Sequence, residues 1–202
     1  MNLMFKSESL DQLRHLTFSN FNLCSLHLDA IVAAGPSFSH QLEAIELGDS
    51  ETGKGSRLKD DAVTRLARAC PSLNHVSLTG TRSLTDESLS AIFNNCPHIR
   101  YLSITGNDRC PGDIDGVSLE ALAENSALVP ALVKLRLTDQ KIYDKRLDKA
   151  YKLLSSARKR LAIEVGNTHE RGGFVTTWLG GKQRDGYQAF EGPGGFSQYG
   201  GY

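Results

Sequence analysis

Between Arg68 and Thr105 the chain writes one phrase twice. Cys70-Pro71-Ser72-Leu73-Asn74-His75-Val76-Ser77-Leu78-Thr79-Gly80 returns as Cys96-Pro97-His98-Ile99-Arg100-Tyr101-Leu102-Ser103-Ile104-Thr105-Gly106. Leu84-Thr85-Asp86-Glu87-Ser88-Leu89-Ser90-Ala91-Ile92 lies between the copies. Such a repeat constrains the fold strongly. One unit of strand, loop and helix has an apolar face that it cannot bury alone, so neighbouring units must stack.

The same six-residue pattern, aliphatic-x-x-aliphatic-x-aliphatic with Phe admitted, recurs along the chain. It is found at Leu13/Leu16/Phe18, Leu42/Ile45/Leu47, Leu73/Val76/Leu78, Ile99/Leu102/Ile104 and Leu132/Leu135/Leu137, with a degenerate copy at Arg160/Ile163/Val165. The middle residues are spaced by 29, 31, 26, 33 and 28. Alternation within each copy predicts a short strand with every second residue inward. The segments between strands carry helical spacing. Leu58–Cys70 aligns Val63, Leu66 and Ala67; Leu84–Cys96 aligns Leu89, Ile92 and Phe93. Asp115–Leu128 aligns Leu119, Leu122 and Ala123, and Tyr143–Ala157 aligns Leu147, Ala150, Tyr151 and Leu154. In the looser first repeat, Leu23, Leu26, Leu28 and Ile31 are the expected helical contribution. Asp60, Thr85 with Asp86, Asp115 and Asp144 are placed to cap helix starts, and Pro71, Pro97 and Pro130 to stop helices.

The expected architecture is an α/β solenoid of five to six repeats over residues 1–168, with strands on a concave wall and helices outside. Residues 169–202 form a separate C-terminal segment. Within it, Phe174–Leu179 is expected to cover the open edge of the last repeat, and the Gly- and aromatic-rich stretch from Gly180 to Tyr202 to be disordered. The chain starts almost inside its first strand, so the first edge is expected to be apolar and open, covered by a partner or by further chain.

Charge excludes some roles. Lys+Arg and Asp+Glu are both 23 and the formal net charge is zero, which is not the footprint of a dedicated nucleic-acid or membrane-surface binder. No apolar run reaches the roughly 20 residues of a spanning helix, and no export signal is visible, so a cytoplasmic or nuclear chain with reduced thiols is expected.

The Cys-Pro phrases, joined by Leu-Thr-Asp-x-x-Leu-x-x-Ile, resemble the cysteine-containing class of leucine-rich repeats over about Leu10 to Val165. That class is common in the F-box proteins that select substrates for cullin-type (SCF) ubiquitin ligases, and in F-box-less relatives that antagonise mitotic exit. The resemblance implies non-catalytic protein recognition, with SCF subunits as possible partners. The sequence departs from the adaptors in having no F-box-length segment before Leu10. The alternatives are a free-standing scaffold or inhibitor unrelated to ubiquitin, or a GTPase-activating repeat protein using Arg109 beside Asn107.

The outward strand positions are the candidate binding residues: His15 and Thr17, Glu46, His75 and Ser77, Tyr101 and Ser103, Lys134 and Arg136, Ala162 and Glu164, with Arg100 beside them. Acidic residues (Glu43, Glu46) come early and basic ones (Arg100, Lys134, Arg136) late, predicting a groove with a charge gradient, and Tyr and Arg are favoured interface anchors. No catalytic residue, cofactor or metal is expected. Ser77 and Ser103 lack a nucleophile elbow. His169-Glu170 lacks a second histidine, and Gly53-Lys54-Gly55 is not a phosphate loop. Asp60-Asp61 and Asp86-Glu87 suit helix N-termini better than a metal. Cys70 and Cys96 share a slot with Ser39, Val129 and Ala157, as expected for buried thiols acting as small hydrophobes. Cys110 is the expected exposed thiol, and Cys24 is open. Ser50, Thr81, Asn107 and Gln140 are expected to bond turn backbone.

Overall fold

The fold is described from a computed structural model, which covers residues 12–19, 23–48, 57–107, 111–141, 145–168 and 174–188. Among the described residues, eight strands form one sheet in sequence order, the first six built on alternating aliphatic residues. They are β1 (His15–Ser19), β2 (Ala44–Gly48), β3 (His75–Thr79), β4 (Tyr101–Ile104), β5 (Lys134–Thr138), β6 (Ala162–Gly166), β7 (Phe174–Leu179) and β8 (Lys182–Gln188). β1 to β6 are parallel, and β7 and β8 are antiparallel. The helices among the described residues are α1 (Ser25–Ala33), α2 (Pro36–Ser39), α3 (Asp60–Ala69), α4 (Asp86–Asn95), α5 (Val117–Glu124) and α6 (Lys145–Ala157).

Register carries the repeat into space. Leu16, Ile45, Val76, Leu102, Leu135 and Ile163 lie side by side across six strands. From Ile45 to Ile163 each is fully buried and belongs to one continuous core with Leu66, Leu89, Ile92, Leu119, Leu122 and Leu154 from the helices. Burying a side chain of this size contributes about 1.5–3 kcal/mol. α3 packs against α1 and α4, and α5 against α4 and α6. Among the described residues, the helices therefore cover one face of the sheet and leave the other without them.

Polar side chains tie each unit to the next, one period along. Asp60 accepts hydrogen bonds from the Thr85 amide (2.9 Å), the Thr85 hydroxyl (3.0 Å) and the Ser88 hydroxyl (2.5 Å). Asp86 accepts from the amides of Asp115 (2.8 Å), Gly116 (3.1 Å) and Ser118 (2.7 Å), and from the Ser118 hydroxyl (2.5 Å). These acidic residues, expected to cap their own helices, serve the start of the following helix instead. α4 is capped by Thr85, whose hydroxyl accepts from the Glu87 amide at 3.2 Å; Asp115 accepts from the Val117 amide at 3.1 Å, and Asp144 lies outside the described residues. On the strand side, Asp139 takes the Thr168 amide and hydroxyl, both at 2.6 Å. Arg158 donates to the carbonyls of Leu122, Asn125, Leu128 and Val129 at the end of α5.

Several expectations need correction. Leu26 is 75% exposed, and α1 buries Leu28 and Ile31 with Leu23 just before it. The helix starts one position after Cys24, which turns Leu26 outward. Ser39 and Val129 are buried in the slot of the two cysteines, but Ala157 is exposed because the last repeat is offset by one residue: Leu161 donates its amide to the Arg158 carbonyl as Leu73 does to Cys70, so Arg158 holds that slot. Within the stretch from Gly180, Lys182–Gln188 is a strand rather than disordered chain, and residues 189–202 lie outside the described residues. Gly180 and Gly181, with φ of +61° and +73°, make the two-residue turn that suits a β-hairpin. That signal stands in the sequence, between Phe174–Leu179 and Lys182–Gln188, but composition hides it. A strand added by edge pairing needs few aliphatic residues.

Candidate functional site

The helix-free face carries two rows of side chains. One runs His15, Ala44, His75, Tyr101, Lys134, Ala162. The second runs Thr17, Glu46, Ser77, Ser103, Arg136, Glu164, and then Thr177 on β7 and Arg184 on β8. Strand alternation puts all of them opposite the core.

The middle of the face is aromatic. The His75 and Tyr101 rings stack with centroids 4.3 Å apart and planes at 22°. Lys134 Nζ sits 5.8 Å from the Tyr101 ring centre, a cation–π contact. His75 Nε2 lies 3.1 Å from Glu46 Oε1. Burial holds the His75 imidazole below its ordinary range; Glu46 opposes that and His15 adds to it. The contact with Glu46 becomes an ion pair only when His75 is protonated, which its burial disfavours.

The charge gradient is partly compensated on the spot. Glu43 pairs with Arg14 at 2.5 Å. Glu164 takes Lys134 Nζ at 2.6 Å and stands 3.9 Å from Arg136 Nε. Glu164 is only 8% exposed, and Ser103 only 3%. Ser103 was expected to project, but a hydroxymethyl group is too short to clear Tyr101 and Arg136 beside it. Arg100 is exposed at the entry to β4, outside the two rows. Sequence reasoning missed Arg184, because the strand that presents it lies in a Gly- and aromatic-rich stretch with few aliphatic residues.

Other candidates separate from this face. Cys70 and Cys96 are buried in the core, and burial pushes both thiols up to about 12. Cys24 is half-buried, with Sγ 3.2 Å from His27 Nδ1. Native alkylation followed by mass spectrometry should modify Cys24 while Cys70 and Cys96 react at least about a thousandfold more slowly; comparable rates would refute their burial. Thr81 donates its hydroxyl to the Thr105 carbonyl at 3.1 Å, and Gln140 Nε2 donates to the Ile104 and Thr138 carbonyls, both at 3.1 Å. These are turn contacts, as expected. Asn107 is buried; Ser50, Arg109, Cys110, Gly53-Lys54-Gly55 and His169-Glu170 lie outside the described residues. Among the described residues, no group of three or more His, Cys, Asp or Glu is placed to hold a metal ion, and no helix is long and apolar enough to cross a membrane.

A comparison with family models gives no match, and neither does a comparison with curated proteins.

Proposed function

We propose that this chain is a non-catalytic protein-recognition module, a leucine-rich repeat solenoid whose helix-free sheet face is the concave binding wall. The observation that carries the reading is the His75–Tyr101 stack at the centre of that face, flanked by Glu46 on one side and Lys134 and Arg136 on the other. A rigid aromatic pair ordered before binding offers contact area at little entropic cost. In the reading that the cysteine-containing repeats suggest, the partner is a substrate or regulator of a cullin-type ubiquitin ligase, held while another subunit performs the chemistry.

The test is capture of partners from native extract by the tagged chain and by Tyr101→Ala. Tyr101 is half-buried on an otherwise intact strand, so its truncation should spare the fold and reduce specific capture about tenfold or more. Lys149→Ala, on the exposed surface of α6, should leave capture unchanged. An identical profile for Tyr101→Ala and the wild type would overturn the face assignment. Cullin and its adaptor among the lost partners would support the ligase reading, and other proteins alone would support a free-standing scaffold. Charge reversal of Lys134 with Arg136 is a poorer test, because it would place two further carboxylates beside buried Glu164.

A further inference from the structure

We infer that the C-terminal half of the helix-free face binds an acidic, extended segment of a partner protein, and that Glu164 competes with that segment for the same cations. This rests on the reading of the face as a recognition surface and names the chemistry of what it takes.

Four cations converge on this half. Lys134 and Arg136 stand on β5, and Lys182 and Arg184 on β8. Pairing settles the side on which the β8 residues lie. Glu164 pairs with Thr177, Thr177 with Arg184, and Leu179 with Lys182. Trp178 and Gln183 pair on the opposite side, where both line a cleft against Tyr151 and Lys152 of α6. Among the described side chains of these strands, Glu164 is the one carboxylate on the same face as the four cations. The surplus is positive, while the other half of the face presents Glu46. An acidic segment is drawn to one half and repelled from the other, which fixes where it lies.

Glu164 is itself a built-in anion. One oxygen is filled by Lys134 at 2.6 Å. The other, Oε2, has no hydrogen-bond partner, and neither has Arg136 Nε 3.9 Å away. A nearly buried carboxylate and a guanidinium that face each other without bonding form a half-satisfied pair, the arrangement that gains most from a further polar partner. An incoming carboxylate can engage the Arg136 guanidinium in the bidentate geometry that arginine favours.

Spacing specifies the segment. β5 and β8 are three strand steps apart, about 14 Å at roughly 4.8 Å per step. An extended chain crossing the strands covers that distance in about four residues at roughly 3.4 Å each. Carboxylates at positions i and i+4, which share one side of an extended chain, thus meet Arg184 and Arg136 together, and the next residue on that side, i+6, passes β5 toward the Tyr101 ring.

The test is fluorescence anisotropy with a labelled polyglutamate peptide, beside a polylysine peptide and a single-stranded oligodeoxynucleotide of equal length. Polyglutamate should bind, weaken as salt is raised, lose about tenfold in affinity with Arg184→Glu, and gain about threefold with Glu164→Gln. Polylysine should not bind. The inference is overturned by an Arg184→Glu variant that binds as well as the wild type, by a Glu164→Gln variant that folds but does not bind more tightly, or by an oligonucleotide that binds as tightly as polyglutamate. Arg184 is exposed, so its variant reports even where Glu164→Gln does not fold. Partner capture lost with Tyr101→Ala but insensitive to Arg184→Glu would retire the acidic-segment inference and keep the recognition reading. Capture insensitive to Tyr101→Ala would retire that reading itself.

Discussion

Asp86→Ala should lower the unfolding free energy by about 3–5 kcal/mol, a large share of the roughly 5–15 kcal/mol of a typical domain. The carboxylate is the shared acceptor for three backbone amides and one hydroxyl of the next repeat, at 2.5–3.1 Å. Ser118 and Gly116 are buried, so water cannot fully replace the lost acceptor, and each stranded donor costs about 1–3 kcal/mol. The sum is not additive, because the start of α5 can shift to rehydrate part of the set. Asp61 is the control. It is exposed and bonded to Arg65 on its own helix at 3.0 Å, so Asp61→Ala should leave the denaturant midpoint nearly unchanged. Equal midpoints for Asp86→Ala and the wild type would refute the inter-repeat role.

The same residue predicts a pH dependence. Burial raises the Asp86 carboxyl, but the hydrogen bonds from Ser118 and Asp115 outweigh it and hold the group below its ordinary value. A depressed folded-state pKa means that the unfolded chain binds the proton more readily. The stabilisation is complete above the unfolded value of about 3.9 and is lost as pH falls through the folded one. The stability difference between wild type and Asp86→Ala should therefore be constant near neutrality and shrink below about pH 4. A gap that widens on acidification would contradict this.

The second large effect is expected at Gly166, where the parallel sheet hands over to the antiparallel hairpin. Gly166 has φ +134°, and an added Cβ would lie 2.0 Å from the carbonyl oxygen of Phe174. The conformation alone strains an L-residue by about 1–3 kcal/mol, and the obstacle is backbone, which cannot rotate away. Gly166→Ala should cost about 3 kcal/mol or more and undock β7 and β8 from β6. Hydrogen exchange reads this directly: the amides of β7 should lose protection while those of β3 and β4 keep theirs. Because the hairpin carries Arg184, the variant should also weaken polyglutamate binding. Uniform protection in the variant would show that the junction tolerates a side chain.

The periodic part of the fold was legible because its cause is local. Leu16, Ile45, Val76, Leu102, Leu135 and Ile163 recur at a nearly constant interval, and the same six residues stand in register across six strands. Alternation in a strand decides which residues face away from the core, so the part of the two rows that lies on β1 to β6 could be read without coordinates. What lay beyond reach depends on contacts a period or more apart. Asp86 reads as a helix cap until the next helix is placed beside it. Glu164 reads as one more polar strand residue until burial puts it between Lys134 and Arg136. Lys182 and Arg184 read as parts of a Gly-rich tail until the Gly180-Gly181 turn lays them on the sheet.

The amino-acid sequence by itself determined the repeat, its strands and helices, and which face each strand residue takes, because hydrophobic period and strand alternation act over a few neighbouring residues. Tertiary structure alone decided how the charges on that face pair, which carboxylate is buried among cations and how the hairpin joins the sheet. Those outcomes depend on distances between residues that the chain brings together only when it stacks.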